Sequence, residues 1–154
     1  MRDLTDKQIE DLVFQKYTIS DKFDIENISE PERSLIAVYT AQGIIDNGGL
    51  SYFFESDFPD ENAYTVMAES YRNIGKNSQP EAIEKVLAIF PNSKPHSDLR
   101  DRDAFLSKYF DELGSDYHPV VKYAEDILFR ESASAYESAM DFYRSNIDQN
   151  AIIR

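Results

Sequence analysis

The chain of 154 residues has no cysteine, no tryptophan and only two histidines. Without cysteine, the chain can form neither a disulfide nor a thiolate zinc site, and it has no thiol nucleophile. No apolar run reaches the roughly 18 residues that a membrane-spanning helix needs. Residues 1–7 contain no apolar signal core. These absences predict a cytoplasmic protein.

Basic residues are also scarce. Sixteen lysines and arginines stand against 29 aspartates and glutamates, which gives a formal net charge of −13. The excess is strongest in residues 1–60, where thirteen acids face five bases. Such a chain repels nucleic acid and anionic lipid, so neither is expected as a direct partner. The charge serves either solubility or the binding of a protein with a basic surface.

No known catalytic signature is present. The sequence has no Gly-x-Ser-x-Gly elbow, no phosphate-binding loop and no His-Glu-x-x-His motif. His96 lies in a Pro/Ser-rich loop and His118 precedes a proline at a predicted helix start, so both are assigned ordinary surface roles. The many carboxylate pairs are assigned to solvated helix faces. The sequence therefore predicts no catalytic residue, no cofactor and no metal.

Apolar residues recur at spacings of three and four along most of the chain, which predicts an all-α fold. We expect a single compact bundle of six to eight helices over residues 1–154, with an N-terminal helix and an acidic connector in residues 1–28. The expected helices cover residues 5–19, 29–46, 49–55, 60–75, 78–90 and 97–113, then a segment starting at 116 and a last helix over 133–148. Residues 116–148 form either one helix or two.

Local signals at the helix starts predict their caps. Thr5 is expected to cap the first helix, and Ser29 with Glu32 to form a capping box for the second. Ser78 is expected to cap the helix that follows it. Ser97 or Asp98 is expected to cap the next one.

The stretch Asn47-Gly48-Gly49 is predicted to organise the fold. Glycine adopts positive φ angles at little cost, and asparagine tolerates them better than most residues. Asn-Gly is also a hairpin signal, but the flanking residues do not alternate as strands would. We therefore predict a helix–turn–helix here, with the aromatic residues Tyr52, Phe53 and Phe54 entering the core behind the turn.

The last predicted helix carries Tyr136, Met140 and Tyr143 at heptad-like spacing. These residues belong to the core by default. If they form an exposed seam instead, two copies of the chain could pair through it as a homodimer.

Residues 42–54 resemble the signature of a bacterial family, domain of unknown function 4375, which includes a DNA-mimic protein. Asn47, Gly48, Gly49, Phe53 and Phe54 match the family pattern. Two positions depart from it. Leu50 stands where phenylalanine is common, and Tyr52 stands where glutamine is common.

The resemblance implies an all-α fold without known enzymatic activity. In the DNA-mimic member it implies a dimer whose acidic surface occupies the DNA-binding face of a transcription factor. The candidates for such an acidic face are taken from the acid surplus of the first part of this chain. They are Asp21, Asp24, Glu26, Glu30, Glu32, Asp46, Glu55, Asp57, Asp60 and Glu61.

Three functions are carried forward. The first is a non-enzymatic acidic protein-binding module, in the manner of a DNA mimic. The second is an immunity or inhibitor protein that binds through an apolar or aromatic patch. The third is an enzyme of unknown type, which requires a pocket that holds carboxylates or a histidine with a perturbed pKa.

Overall fold

A computed structural model describes residues 3–17, 24–58 and 62–147. These residues form seven α-helices and two short 3₁₀ turns and no strand, which confirms the all-α fold class. The helices are α1 (Asp6–Tyr17), α2 (Glu32–Glu55), α3 (Ala63–Asn73), α4 (Ser78–Leu87), α5 (Leu99–Tyr109), α6 (Pro119–Arg130) and α7 (Ser132–Asn146). The 3₁₀ turns cover Ile25–Asn27 and Pro91–Ser93.

The long helix α2 is the centre of the fold. Helices α1, α3, α5, α6 and α7 all contact it, and half of its 24 residues are buried. Helix α3 runs back along α2, because the Tyr64 hydroxyl donates to the carbonyl of Phe54 while the Asn73 amide donates to Glu30 near the other end of α2. Two apolar residues of α1, Ile9 and Val13, are buried in the same core.

The irregularity in α2 lies at a single residue. Gly49 has φ 71° and ψ −166°, whereas Asn47 and Gly48 remain within the helix. The first part of the helix therefore continues past Asp46, where the sequence placed its end, and a last helical segment, 50–55, follows the kink. Gly48 has a packing role instead, since a Cβ atom there would lie 2.5 Å from the Cβ of Tyr52.

The aromatic residues after the kink divide between core and surface. Phe53 and Phe54 are fully buried, and the ring of Phe54 lies 5.0 Å from Phe90 and 5.6 Å from Phe110. Tyr52 remains half exposed, contrary to the prediction, because its side chain lies back over Gly48. The kink thus directs two of the three rings into the aromatic core.

Two of the predicted helix caps are present. Thr5 accepts a hydrogen bond from the backbone N–H of Gln8 (3.2 Å), and its own N–H donates to the Gln8 side chain (2.9 Å). Asp98 caps α5 by accepting from the N–H groups of Arg100 (2.9 Å) and Asp101 (3.0 Å). Both are local interactions within three residues, the range over which sequence signals act.

The other predicted caps are wrong. Helix α2 begins without a side-chain cap at Pro31, and the carboxylate of Glu30 accepts instead from the N–H of Ser34 (3.2 Å). Ser78 is the first residue of α4, and the residue before it makes no capping hydrogen bond. Helix α6 is capped by His118, whose Nδ1 accepts from the N–H of Val120 (3.2 Å).

The described part of the segment predicted as one helix or two, residues 116–147, contains two helices. Glu131 ends α6 and begins α7 with φ −98° and ψ 11°. In α7, Met140 and Tyr143 are each 2% exposed within the chain's own core. They therefore belong to that core, and the proposed pairing seam is not open to a second copy at these two residues.

Candidate partner-binding surface

The described members of the predicted acidic set lie before, along and just after α2. Asp24 precedes and Glu26 lies within the first 3₁₀ turn, which contacts α2 and α3. Glu30 and Glu32 lie at the start of α2, Asp46 lies in its middle, and Glu55 and Asp57 lie at its end. Asp21, Asp60 and Glu61 fall outside the described residues.

Several of these acids are paired with cations of the chain itself. The carboxylate of Glu32 lies 3.2 Å from the Lys16 ammonium and also accepts from the Tyr17 hydroxyl. Glu30 pairs with Arg33 at 3.1 Å, and Asp57 pairs with the buried Arg102 at 3.5 Å. Their charge is partly neutralised within the fold, so they offer less attraction to a partner than the sequence count indicates.

The other described members make no ion pair within the described chain. They are Asp24, Glu26, Asp46 and Glu55, and all four are exposed. Asp24 only accepts a hydrogen bond from the Asn27 side chain. These four carboxylates are therefore the members of the set that no lysine or arginine of the described chain neutralises.

Asp46 differs from the others in being fixed by hydrogen bonds. Its Oδ1 accepts from the Gln42 side-chain amide at 2.9 Å, and its Oδ2 accepts from the Ser132 hydroxyl at 2.6 Å and the Tyr136 hydroxyl at 3.3 Å. The donors come from α2 and α7. Burial, followed by the nearby charge of Asp46, raises the pKa of Tyr136 to about 12, so its hydroxyl remains a donor at neutral pH.

The side chain of Gln42, which donates to Asp46, belongs to a buried polar network. Gln42 is fully buried, and its carbonyl accepts from the Tyr71 hydroxyl (2.9 Å) and from the Gln79 amide (3.1 Å). Its amide also donates to the backbone carbonyl of Leu128 (3.0 Å). Because buried polar groups are costly unless paired, this network defines one arrangement of α2, α3, α4 and α6. Sequence reasoning missed it, since its partners lie 29 to 86 residues apart.

A second carboxylate lies directly at the kink in α2. Oε1 of Glu125, on α6, accepts from the backbone N–H of Leu50 at 2.9 Å. Leu50 starts the helical segment after the kink, where free N–H groups and the helix dipole favour a negative charge. Burial raises the pKa of the Glu125 carboxyl, Glu112 and Asp126 raise it further, and the Leu50 N–H and Lys122 lower it. Glu125 thus caps the second part of α2 from another helix.

The raised pKa of Glu125 predicts a pH-dependent stability difference. The folded chain holds this proton more tightly than the unfolded chain, so the contribution of Glu125 falls as the pH rises from below 4.5 through the raised folded pKa. Glu125→Gln keeps an acceptor oxygen but cannot titrate. We expect the free energy of unfolding of the variant, minus that of the wild type, to increase as the pH rises from about 4 towards neutral. Urea unfolding across that range measures it, and a constant difference would contradict the assignment.

The two histidines have structural contacts. The ring of His96 lies 5.2 Å from the ring of Phe105, and its backbone carbonyl accepts from Arg102 at 3.0 Å. His118 caps α6, as described above. Among the described residues, no group of three or more histidines and acids could hold a metal ion.

A cleft between α4 and α6 is lined by polar and charged side chains. Its lining includes Glu81, Lys85, Tyr123 and Arg130, and Lys85 lies 5.6 Å over the ring of Tyr123. The cleft contains one carboxylate and no histidine. It therefore holds neither the several carboxylates nor the histidine with a perturbed pKa that the enzyme alternative requires. Within the described residues, no helix is long and apolar enough to cross a membrane.

Comparison with known proteins identifies the family. The family model described as DMP19-like protein matches residues 26–137, which is well over half of the chain and includes α2 to α6 and the first part of α7. The family name given by the resemblance, domain of unknown function 4375, stays a prediction. No curated protein and no solved structure matches the chain significantly. The chain therefore belongs to the DMP19-like protein family.

Proposed function

We propose that this chain is a non-enzymatic, cytoplasmic binding module that occupies the basic DNA-binding face of a partner protein, in the manner of a DNA mimic. The observation that carries the proposal is the family match over residues 26–137 in a chain with a net charge of −13. The partner class is a protein with a basic surface, such as a transcription factor. We take residues 1–154 as one helical domain.

The length of α2 is compatible with this role. From residue 32 to residue 55 the helix covers about 35 Å of contour at about 1.5 Å per residue. Duplex DNA presents about 20 phosphate charges over that distance. Unpaired acids lie near the start of α2 (Asp24, Glu26), in its middle (Asp46) and at its end (Glu55). Acids thus lie before, within and at the end of the helix, and mimicry requires them to meet one partner surface.

Salt and DNA competition test the proposal together. The immobilised chain should retain proteins from a DNA-binding fraction of the native cell, and a duplex oligonucleotide should release them. For a purified partner, we expect the dissociation constant to rise about tenfold between about 50 and 200 mM salt, because charge attraction is screened. Calorimetry or surface plasmon resonance measures the change. A dissociation constant that does not change with salt, together with a partner that duplex DNA does not release, would contradict mimicry and favour the inhibitor alternative.

Charge-matched variants separate a specific face from overall charge. One variant combines Asp24→Asn, Glu26→Gln and Glu55→Gln. It removes three acids that make no ion pair within the described residues, two before α2 and one at its end. Its control combines Asp103→Asn, Glu137→Gln and Asp141→Asn, three exposed acids on α5 and α7. Both variants change the net charge equally, so only a specific face makes the first weaken partner binding more than the second.

The inhibitor alternative receives less support from the exposed apolar residues. The large hydrophobic side chains exposed in the described chain are Leu12, Tyr52, Leu99, Leu113, Tyr123 and Phe129. They lie on α1, α2, α5, α6 and the segment after α5, and none of these elements carries more than two of them. A binding patch built on one helix is therefore not favoured.

A further inference from the structure

Asp46 combines fixed geometry with an uncompensated charge. Three donors hold its carboxylate, two from side chains of α7 and one from its own helix. A carboxylate offers about four acceptor sites, so one remains open for an additional donor. No lysine or arginine of the described chain forms an ion pair with it. The exposed surface thus presents an anion that is positioned but not neutralised.

The position of Asp46 depends on a buried hydrogen-bond network that joins several helices. Gln42, which orients Asp46, is itself held by Tyr71 and Gln79 from two other helices. An ordinary solvated aspartate on a helix needs no such support. Binding to a carboxylate that is already ordered avoids much of the entropy loss of fixing it in the complex.

Aromatic rings lie beside the carboxylate. Tyr136 donates to Asp46, and its ring meets the ring of Tyr39 edge to face with centroids 4.9 Å apart. Both rings are partly exposed. Glu10 of α1 lies close enough to act on both tyrosines, so the region around the rings is negative. A fixed anion beside partly exposed aromatic rings suits a guanidinium group, which donates to the one and stacks on the other.

We propose that Asp46, Tyr136 and Tyr39 form a receptor for one arginine side chain of the partner protein. This inference rests on the proposed function, because it names the side chain by which a basic partner is anchored. Arginine fits better than lysine because its planar cation is weakly hydrated and stacks on aromatic rings, whereas the lysine ammonium is strongly hydrated. The other acids along α2 then supply general attraction, and Asp46 supplies the contact that sets the register.

The test uses tri-arginine and tri-lysine peptides titrated into the full-length ¹⁵N-labelled chain at low salt, followed by NMR. In the wild type, we expect the largest amide shifts at Asn47, Gly48 and Ala133, which neighbour Asp46 and Ser132. We expect tri-arginine to bind at least about threefold more tightly than tri-lysine. Asp46→Asn should weaken tri-arginine binding at least about fivefold, because the open acceptor site loses its charge.

Glu137→Gln is the matched control, since it removes one exposed acid from the same helix as Tyr136. It should weaken tri-arginine binding less than about twofold. Asp46→Asn keeps an acceptor for Ser132, and an unchanged melting temperature verifies its fold. The wild-type shift map tests the site even if that variant is unstable.

Three results would overturn the receptor. They are shifts spread evenly over Asp24, Glu26 and Glu55, equal binding of the two peptides, and equal effects of the two substitutions. Each of these leaves DNA-competed, salt-sensitive binding of a partner intact. Conversely, the peptides could show a preference for arginine at this site while DNA fails to release the partner. That pair of results would refute the DNA mimicry and leave the arginine receptor intact.

Discussion

Replacing Gly49 by alanine is expected to lower the free energy of unfolding by about 2–4 kcal/mol. Two effects add. Gly49 has φ +71°, a conformation that alanine adopts only with strain. A Cβ atom there would also lie 2.6 Å from Oε1 of Glu125, so the carboxylate would have to leave the N–H of Leu50. For a chain of this size the melting temperature should fall by about 5–15 °C.

Gly75 provides the matched control for this substitution. It also has a positive φ, +87°, but a Cβ atom there would meet nothing within 4 Å. Gly75→Ala should therefore show the backbone strain alone, about 1 kcal/mol. Urea unfolding with an unchanged m-value gives both numbers. Equal losses for the two variants would mean that the hydrogen bond between the Leu50 N–H and Glu125, which a Cβ atom at residue 49 displaces, contributes nothing to stability.

The kink illustrates what the sequence could and could not predict. Asn47-Gly48-Gly49 was predicted to end one helix and turn the chain into the next, but only Gly49 leaves the helical conformation, at a positive φ that glycine tolerates. The role of each residue did not follow from the motif. Gly49 alone takes the positive φ, and the N–H of the next residue, Leu50, donates to Glu125, 75 residues further along the chain. Gly48 makes room for the ring of Tyr52.

The local apolar pattern predicted where the helices lie. It did not always predict which side chain caps a helix start. The apolar spacing of α3 and α4 reflects one buried side of each helix, and that spacing is visible in any sequence. The cap at Thr5 is equally local. The expected box of Ser29 with Glu32 does not form, because Glu32 lies against Lys16 and Tyr17 of α1, which the sequence places far away.

The same limit applies to the binding surface. Counting acids identifies a candidate set, but the count does not tell which carboxylates the fold already neutralises. Arg102 lies on α5, yet it pairs with Asp57, 45 residues earlier. Asp46 had no feature that distinguished it from the other acids, because Ser132 and Tyr136 reach it from 86 and 90 residues away.

The support beneath Asp46 leads to the second large prediction. Gln42→Leu should lower the free energy of unfolding by about 3–5 kcal/mol, although leucine has a similar volume. The substitution leaves the Tyr71 hydroxyl, the Gln79 amide and the Leu128 carbonyl without this partner in the core. Burial raises the pKa of Tyr71 well above its ordinary value, so ionisation cannot relieve the unpaired hydroxyl near neutral pH.

Tyr71→Phe is the control within the same network. It removes one hydroxyl, while the Gln42 carbonyl still accepts from Gln79 at 3.1 Å, so the expected loss is only about 1 kcal/mol. Thermal and urea unfolding measure both variants. If Gln42→Leu is as stable as the wild type, the apolar gain has offset the lost hydrogen bonds, and the network does not stabilise the packing of α2 against α3 and α4. Suppose that Gln42→Leu lowers the free energy of unfolding strongly and Tyr71→Phe lowers it only slightly. The stabilisation then comes from the hydrogen bonds of Gln42 as a group and not from the Tyr71 hydroxyl alone.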